Sequence, residues 1–303
     1  MVRNFKAYLC LLAFLICVPV IFSPYYTSLV VKIMIFGIFA MSLDILLGYT
    51  GLLSFGHIIG WGIASYAVGI LTSQGIVSNF FVLLLIALFA GIAFNAVVAV
   101  LALRTSGLYF VLVTLALAEI ARCVAVKWHS ITGGVDGISG ITLPLEIGET
   151  GFYYLTFIFF VICLCLICWL VDSRFGRVLM GIRENEPRMQ ALGYDTWLFK
   201  YIAILFAGFM ASMAGFLFCL FNRYVGPGDL GFGLSGEALL MVLIGGMGTI
   251  IGPFIGSVIL VVLKNALSMY TTHWMLILGI LFVFCVKFFP EGLVTILKKK
   301  ISR

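Results

Sequence analysis

Long apolar runs separated by short polar interruptions occupy most of the chain. They fall near residues 7–22, 29–47, 52–73, 80–103, 108–126, 152–171, 201–221, 237–263 and 272–289. Most are close to the ~20 residues that a helix needs to cross a bilayer. Lipid forces the helical reading, because each backbone polar group must be paired within its own segment. The pattern predicts an all-α integral membrane protein, a polytopic helical bundle forming a single transmembrane domain over 1–303. The interruptions at 128–151 and 172–200 are the longest and predict its two main loops.

Composition strengthens this picture. Apolar residues make up 63% of the chain and charged ones 10%, against roughly 25% charged in an ordinary soluble domain. A soluble enzyme, a disordered regulator and a basic nucleic-acid binder are excluded, so lipid is a partner and nucleic acid is not. The eight cysteines lie in apolar runs. Cys165 and Cys168 form a CxxC in mid-helix with no histidine nearby, which reads as polarizable filler rather than a metal or redox site. Arg3 and Lys6 precede the apolar stretch Ala7–Phe22 as in a signal peptide. That stretch continues through Pro19 without a small-x-small cleavage site and reads as an uncleaved first span.

The net charge of +6 reports orientation. Arg3, Lys6, Arg104, Arg174, Arg177, Arg183, Arg188, Lys200, Lys298, Lys299, Lys300 and Arg303 are 12 of the 18 basic residues, and they fall in segments that should share one side. These segments, with both termini, are expected in the cytoplasm; 128–151 is expected outside. A single crossing by 237–263 would place the Lys298–Lys300 tail on the wrong face. The run is interrupted at Gly245-Gly246-Met247-Gly248 and Gly252-Pro253, where glycine and proline weaken a helix. It is therefore expected to fold back as a re-entrant pair, giving about eight full spans plus one broken segment. A second break lies at Gly48-Tyr49-Thr50-Gly51. Interrupted segments in both halves point to a translocation path. Small residues also recur every fourth position, at Gly56, Gly60 and Ala64, at Gly248, Gly252 and Gly256, and at Ala203, Ala207, Ala211 and Gly215; such stripes allow close helix packing.

Ionisable groups inside the spans are few. Asp44 either lines the path or caps a helix. Glu119 and Arg122 share a helix face and either neutralise each other or contact substrate. His57, beside the first break, is either a hydrogen-bonded core imidazole or a proton relay. Lys32 and Lys287 are near enough to span ends to snorkel. Glu237 follows Ser235, a good N-cap, in what reads as a first helical turn. GxxxxGK[ST], HExxH and GxSxG are all absent, so no nucleotide, metal or acyl-enzyme chemistry is expected of this chain.

The 172–200 loop has nearly balanced charges. It reads as a short helix, a second starting at Glu186-Pro187, and a stop at Gly193. Its segment Ser173-Arg-Phe-Gly-Arg-Val-Leu-Met-Gly-Ile-Arg183-Glu-Asn-Glu186, followed by Ala191-Leu192-Gly193, resembles the coupling loop of branched-chain amino-acid ABC importer permeases, specifically the M-type (LivM-like) subunit. Leu47-Gly-Tyr-Thr-Gly-Leu-Leu-Ser-Phe-Gly-His57 is similar to that family's first glycine-rich signature. Gly107-Leu-Tyr-Phe-Val-Leu-Val-Thr-Leu-Ala-Leu-Ala-Glu119 and Thr132-Gly-Gly-Val-Asp-Gly-Ile-Ser-Gly140 resemble its central ones, and Ser235-Gly-Glu-Ala-Leu-Leu-Met-Val-Leu-Ile-Gly-Gly-Met-Gly248 its C-terminal one. Met189 and Gln190 stand where the wider importer element has alanine and an acid.

The resemblance implies the permease subunit of an ATP-driven importer for branched-chain or related amino acids in a bacterial or archaeal plasma (inner) membrane. Urea or short amides, and an ion-coupled secondary transporter, are the alternatives. Its implied partners are an H-type permease, two ABC ATPase subunits carrying ATP and Mg²⁺, and an extracytoplasmic substrate-binding protein. The chain itself would need no cofactor. Arg183, Glu184, Glu186, Arg188, Ala191 and Gly193 would couple to an ATPase. Gly48, Tyr49, Thr50, Gly51, His57, Glu119, Gly245, Gly246 and Gly248 would line or gate the path. The 128–151 loop, with Asp136, Glu146 and Glu149, would face the outer mouth.

Overall fold

The computed structural model describes residues 2–77, 79–142 and 148–270, with six further positions between 276 and 287. In chain order it contains α1 (Val2–Ile21), α2 (Pro24–Asp44) continuing as a π-helical turn (Ile45–Thr50), α3 (Ile58–Ser73), α4 (Phe80–Ala102) and α5 (Leu108–Lys127). A short α6 (His129–Thr132) and β1 (Ile138–Ser139) follow, then α7 (Glu149–Asp172), α8 (Arg174–Ala191) and α9 (Thr196–Asn222). The chain continues with β2 (Tyr224–Val225), a 3-10 turn (Pro227–Leu230), α10 (Phe232–Gly245) and α11 (Gly252–Tyr270).

Local chemistry sets the helix starts. Pro24 opens α2, where its missing N–H costs nothing. The Asn79 side chain accepts from Phe81 N at 2.9 Å to cap α4, and Asp195 accepts from Leu198 N at 3.1 Å to cap α9. The α2 and α9 spans are the most deeply enclosed; α4, α5 and α7 present most of their surface outwards. Helices α3 and α9 cross at van der Waals distance because Gly215 leaves room for the backbone at Trp61. There Ser65 Oγ donates to the Gly215 carbonyl at 2.9 Å.

Among the described residues, six helices are long and apolar enough to cross a membrane. The expectation was eight full spans. The differences have identifiable causes. The apolar run 52–73 does not begin as helix, since residues 51–57 follow an irregular path and α3 starts only at Ile58. Helix α3 therefore has 16 residues, about 24 Å of rise and less than the ~30 Å hydrocarbon thickness, whereas α11, within the run expected to be broken, is itself long enough to count among the six. The run 272–289 and the Lys298–Lys300 tail lie largely outside the described residues, as does Glu146. The 128–151 loop contains a feature with no sequence signal: β1 pairs antiparallel with β2, Ile138 opposite Val225 and Ser139 opposite Tyr224.

The 237–263 run does fold back on itself. Glu237 near the start of α10 pairs with Lys264 near the end of α11 at 2.7 Å. Midway, Gly256 packs directly on the Met241 carbonyl, and at the turn Gly245 packs on Gly252. These contacts define an antiparallel hairpin. The N-cap role expected of Ser235 is not observed: α10 begins three residues earlier, and Ser235 Oγ donates to the Phe55 carbonyl at 3.2 Å. Glu237 correspondingly serves the ion pair rather than a first helical turn. Reversing either charge (Glu237→Lys or Lys264→Glu) should cost about 1–2 kcal/mol. The double reversal should recover most of it in thermal unfolding of the detergent-solubilised chain.

Candidate functional site

The two glycine breaks, some 200 residues apart, meet at one end of the bundle. The first forms because α2 widens into a π turn, whose i→i+5 spacing strains the last carbonyls of the helix. Thr50 Oγ1 donates to the Ile45 carbonyl at 2.8 Å, and Leu52 N donates to the Leu46 carbonyl at 2.8 Å. Gly51 then adopts a left-handed conformation (φ 79°) and turns the chain back towards α3. The second break leaves α10 at Gly245, passes through left-handed Gly248 (φ 71°), and returns as α11. Each is thus the tip of a helical hairpin.

Side chains satisfy the backbone groups that the breaks release. The Gly248 N–H donates to Asp44 Oδ1 at 2.9 Å, and Asp44 is buried at the end of α2. The Gly48 carbonyl accepts from Arg183 Nη1, which reaches in from α8. Gly48 lies against both Asp44 Oδ1 and the Gly248 nitrogen, so a Cβ there would overlap both. At Gly248 a Cβ would stand 3.1 Å from Arg183 Nη1 and 3.1 Å from the Gly48 carbonyl oxygen. Asp44 caps no helix end here; it holds the opposite hairpin tip.

The structure brings Gly48, Tyr49, Thr50, Gly51, Gly245, Gly246 and Gly248 to this junction. His57 lies deeper in the bundle, buried, with Nε2 2.7 Å from Ser42 Oγ and its ring stacked on Phe39 at 5.2 Å. Its Nδ1 has no partner among the described residues. Glu119 stands apart on α5, paired with Arg122 at 2.7 Å; its side chain is 36% exposed and that of Arg122 40%. The 3-10 turn packs on α5, and in it Asp229 accepts from Gly226 N at 3.0 Å. Burial pushes its carboxyl up to about 6, against the opposing pull of that hydrogen bond.

The loop equated with coupling is well formed. Helix α8 is two helices joined at Asn185 (φ −159°, ψ 95°), whose Oδ1 accepts from Arg188 N at 3.0 Å and caps the second piece ahead of Pro187. Glu186 pairs with Lys200 at 2.5 Å, and Gln190 Nε2 donates to Thr196 Oγ1 at 3.0 Å, so the second piece is tied to α9. Gly193 (φ 87°) makes the stop. Arg183, Glu184 and Glu186 line a cleft of about 720 Å³ shared with Thr50, Gly51 and Leu52 and with Thr105, Ser106 and Gly107. Ala191 is exposed, as are Leu192, Tyr194 and Trp197 beside it.

Two side chains of structural weight were not singled out from the sequence. Ser42 holds His57. Asn95, the one polar residue of the 80–103 run, is buried and donates to the Gly91 carbonyl at 2.9 Å, where α4 packs on Gly60 and Gly208. A lone amide at lipid depth was the available signal.

The family described as "Branched-chain amino acid transport system / permease component" matches residues 25–286. "High-affinity branched-chain amino acid transport system permease protein LivM" of Escherichia coli (strain K12) is 27% identical over 298 residues, covering 89% of this chain and 70% of that protein. "Probable branched-chain amino acid transport permease protein LivM" of Methanocaldococcus jannaschii is 27% identical over 233 residues, covering 74% and 68%. "Autoinducer 2 import system permease protein LsrC" of Salmonella typhi is 27% identical over 148 residues, covering 46% and 41%. No solved structure matches the chain.

Gly48→Ala should force the two hairpin tips apart and destabilise the purified chain by about 2 kcal/mol. Gly236→Ala, whose Cβ would meet nothing within 4 Å, should change stability by less than about 0.5 kcal/mol. Thermal unfolding of the two variants in the same detergent gives the comparison.

Proposed function

The chain belongs to the branched-chain amino acid transport permease family, and we propose that it forms half of the translocation path of an ATP-driven importer. It is a permease component rather than an enzyme. Branched-chain amino acids are the proposed substrates. A second permease of the H type supplies the other half of the path, and an extracytoplasmic binding protein delivers substrate at the 128–151 side. Two ATPase subunits, which carry the ATP and Mg²⁺, dock on the 172–200 loops. The whole chain acts as one transmembrane domain of a bacterial or archaeal inner membrane, with eight full crossings, the α10–α11 hairpin as its broken segment, and both termini in the cytoplasm.

The observation that carries this reading is the reach of Arg183 from α8 to the Gly48 carbonyl. The loop assigned to ATPase docking touches the break assigned to the path, which is the connection a coupled transporter requires. A second observation supports the placement of the path. Glu119 and Arg122 are partly exposed well inside α5, among exposed Leu112, Ile120 and Val124. An ion pair against hydrocarbon is costly, so this face belongs against protein or water. We assign it to the surface shared with the second permease. Alternating access then follows from ATP-driven movement of the docking loops.

Purification through a tag in mild detergent, with every stoichiometric partner identified, tests the reading. A second permease and an ATPase pair should accompany the wild-type chain, and the reconstituted assembly should take up leucine only with ATP. In Gly193→Asp, the left-handed stop of the loop is disturbed and ATPase recovery should fall at least several-fold. Recovery of the chain alone, able to move a solute down an ion gradient, would contradict the assignment.

A further inference from the structure

Three segments that are remote in sequence converge on the junction and are joined there by two bonds. Asp44 lies on α2, immediately before the π turn, and holds the amide of Gly248 from the second hairpin. Arg183 lies on α8, outside both hairpins, and holds the carbonyl of Gly48 from the first. Arg183 Nη1 also lies beside the Gly248 backbone that Asp44 holds, 3.1 Å from where a Cβ on Gly248 would stand. The Arg183 stem packs on Gly51, with Cγ 3.2 Å from where a Cβ would stand, so the side chain runs along the break while keeping an exposed face on the cleft.

From this arrangement we infer that Arg183 and Asp44 are positioning residues that hold the two hairpin tips together in the resting transporter, and that movement of α8 releases them. The inference rests on the proposed coupling role of α8 and specifies how that role reaches the membrane. A carbonyl in the final turn of a helix has no intrahelical donor, and a buried one left unpaired is costly; Gly48 is buried. Withdrawing Arg183 leaves the Gly48 carbonyl unpaired and empties the space beside the Gly248 backbone that Asp44 holds. The π turn and the 246–251 segment then lose their mutual support together. The second piece of α8 is fastened to α9 by Glu186–Lys200 and Gln190–Thr196. Arg183 lies on the first piece, just before the Asn185 joint, so bending at that joint moves the guanidinium without detaching the loop. This account also gives the residue types a reason. A guanidinium can donate to a carbonyl while remaining charged towards a carboxylate, and the tips can touch only if Gly48 has no side chain.

The test is hydrogen exchange of the backbone amides over 45–52 and 245–250. It is measured on the purified assembly with and without ATP and vanadate, for wild type, Arg183→Gln, Asp44→Asn and the double variant. In the wild type, trapping with nucleotide should raise exchange in both segments together, by roughly tenfold or more. Arg183→Gln should show that raised exchange already without nucleotide and respond little to trapping, and Arg183→Lys should restore part of the protection. The double variant should exchange no faster than Arg183→Gln alone, because both residues act at one point. A structural contact without a coupling role would leave wild-type exchange at both breaks independent of nucleotide, and that result overturns the inference. So does an Arg183→Gln variant altered only within α8, or single-variant effects that multiply. If Arg183→Gln does not accumulate, Asp44→Asn gives the same comparison from the other side of the junction. Absence of any ATPase from the wild-type preparation would defeat the proposed function. The resting-state comparison of variants on the chain alone would then still decide whether Arg183 holds the tips.

Discussion

A backbone that leaves the helix inside a packed bundle must still have its buried polar groups paired, and this constraint organises the structure. The chain breaks its helices twice, after α2 and after α10, and each break frees amides and carbonyls that the helices no longer pair. They are paired by bringing the breaks to one point and supplying one anion and one cation. Asp44 accepts from Gly248, and Arg183 donates to Gly48. Together with the two breaks these side chains meet a shared need. The rest of the bundle is arranged so that these groups can reach each other.

That arrangement depends on close packing without side chains in the way. Gly256 on the Met241 carbonyl holds the second hairpin shut, and Gly215 on the Trp61 backbone locks α3 against α9. The Glu237–Lys264 pair fastens the open end of the same hairpin at 2.7 Å. Through α9, which follows α8 and carries the Lys200 and Thr196 partners of Glu186 and Gln190, the rigid interior is joined to the loop proposed to receive the ATPase. Family membership gives this connection its meaning. In a permease, a loop that touches the ends of two broken helices is positioned to change access.

Much of this was legible in the sequence, and the unread parts share a cause. Helix existence followed from the apolar runs, because lipid leaves no other choice. The hairpin at 237–263 followed from Gly245-Gly246-Met247-Gly248 together with the charge of the tail, and the joint in α8 followed from Glu186-Pro187. What escaped was pairing across distance. Asp44 was visible as a charge in the wrong solvent, yet its partner lies 204 residues away. A backbone amide leaves no mark in a sequence. Ser235 and Glu237 looked like a helix start by local rules, but tertiary partners on Phe55 and Lys264 claim both. The start of α3 at Ile58 was hidden because residues 52–57 are apolar enough to read as helix, while their irregular path is set by contact with α5 through Thr114. Two-residue strands such as β1 and β2 carry no periodicity at all.

The central claim is that the two breaks meet and are held by Asp44 and Arg183. A cryo-EM map of the chain in its native assembly, without nucleotide and resolved to side chains, tests it most directly. The account predicts continuous density joining the Asp44 carboxylate to the Gly248 amide at close to 2.9 Å, with the Arg183 guanidinium on the Gly48 carbonyl. Hairpin tips standing apart, with Asp44 facing water or an unrelated partner, would contradict it.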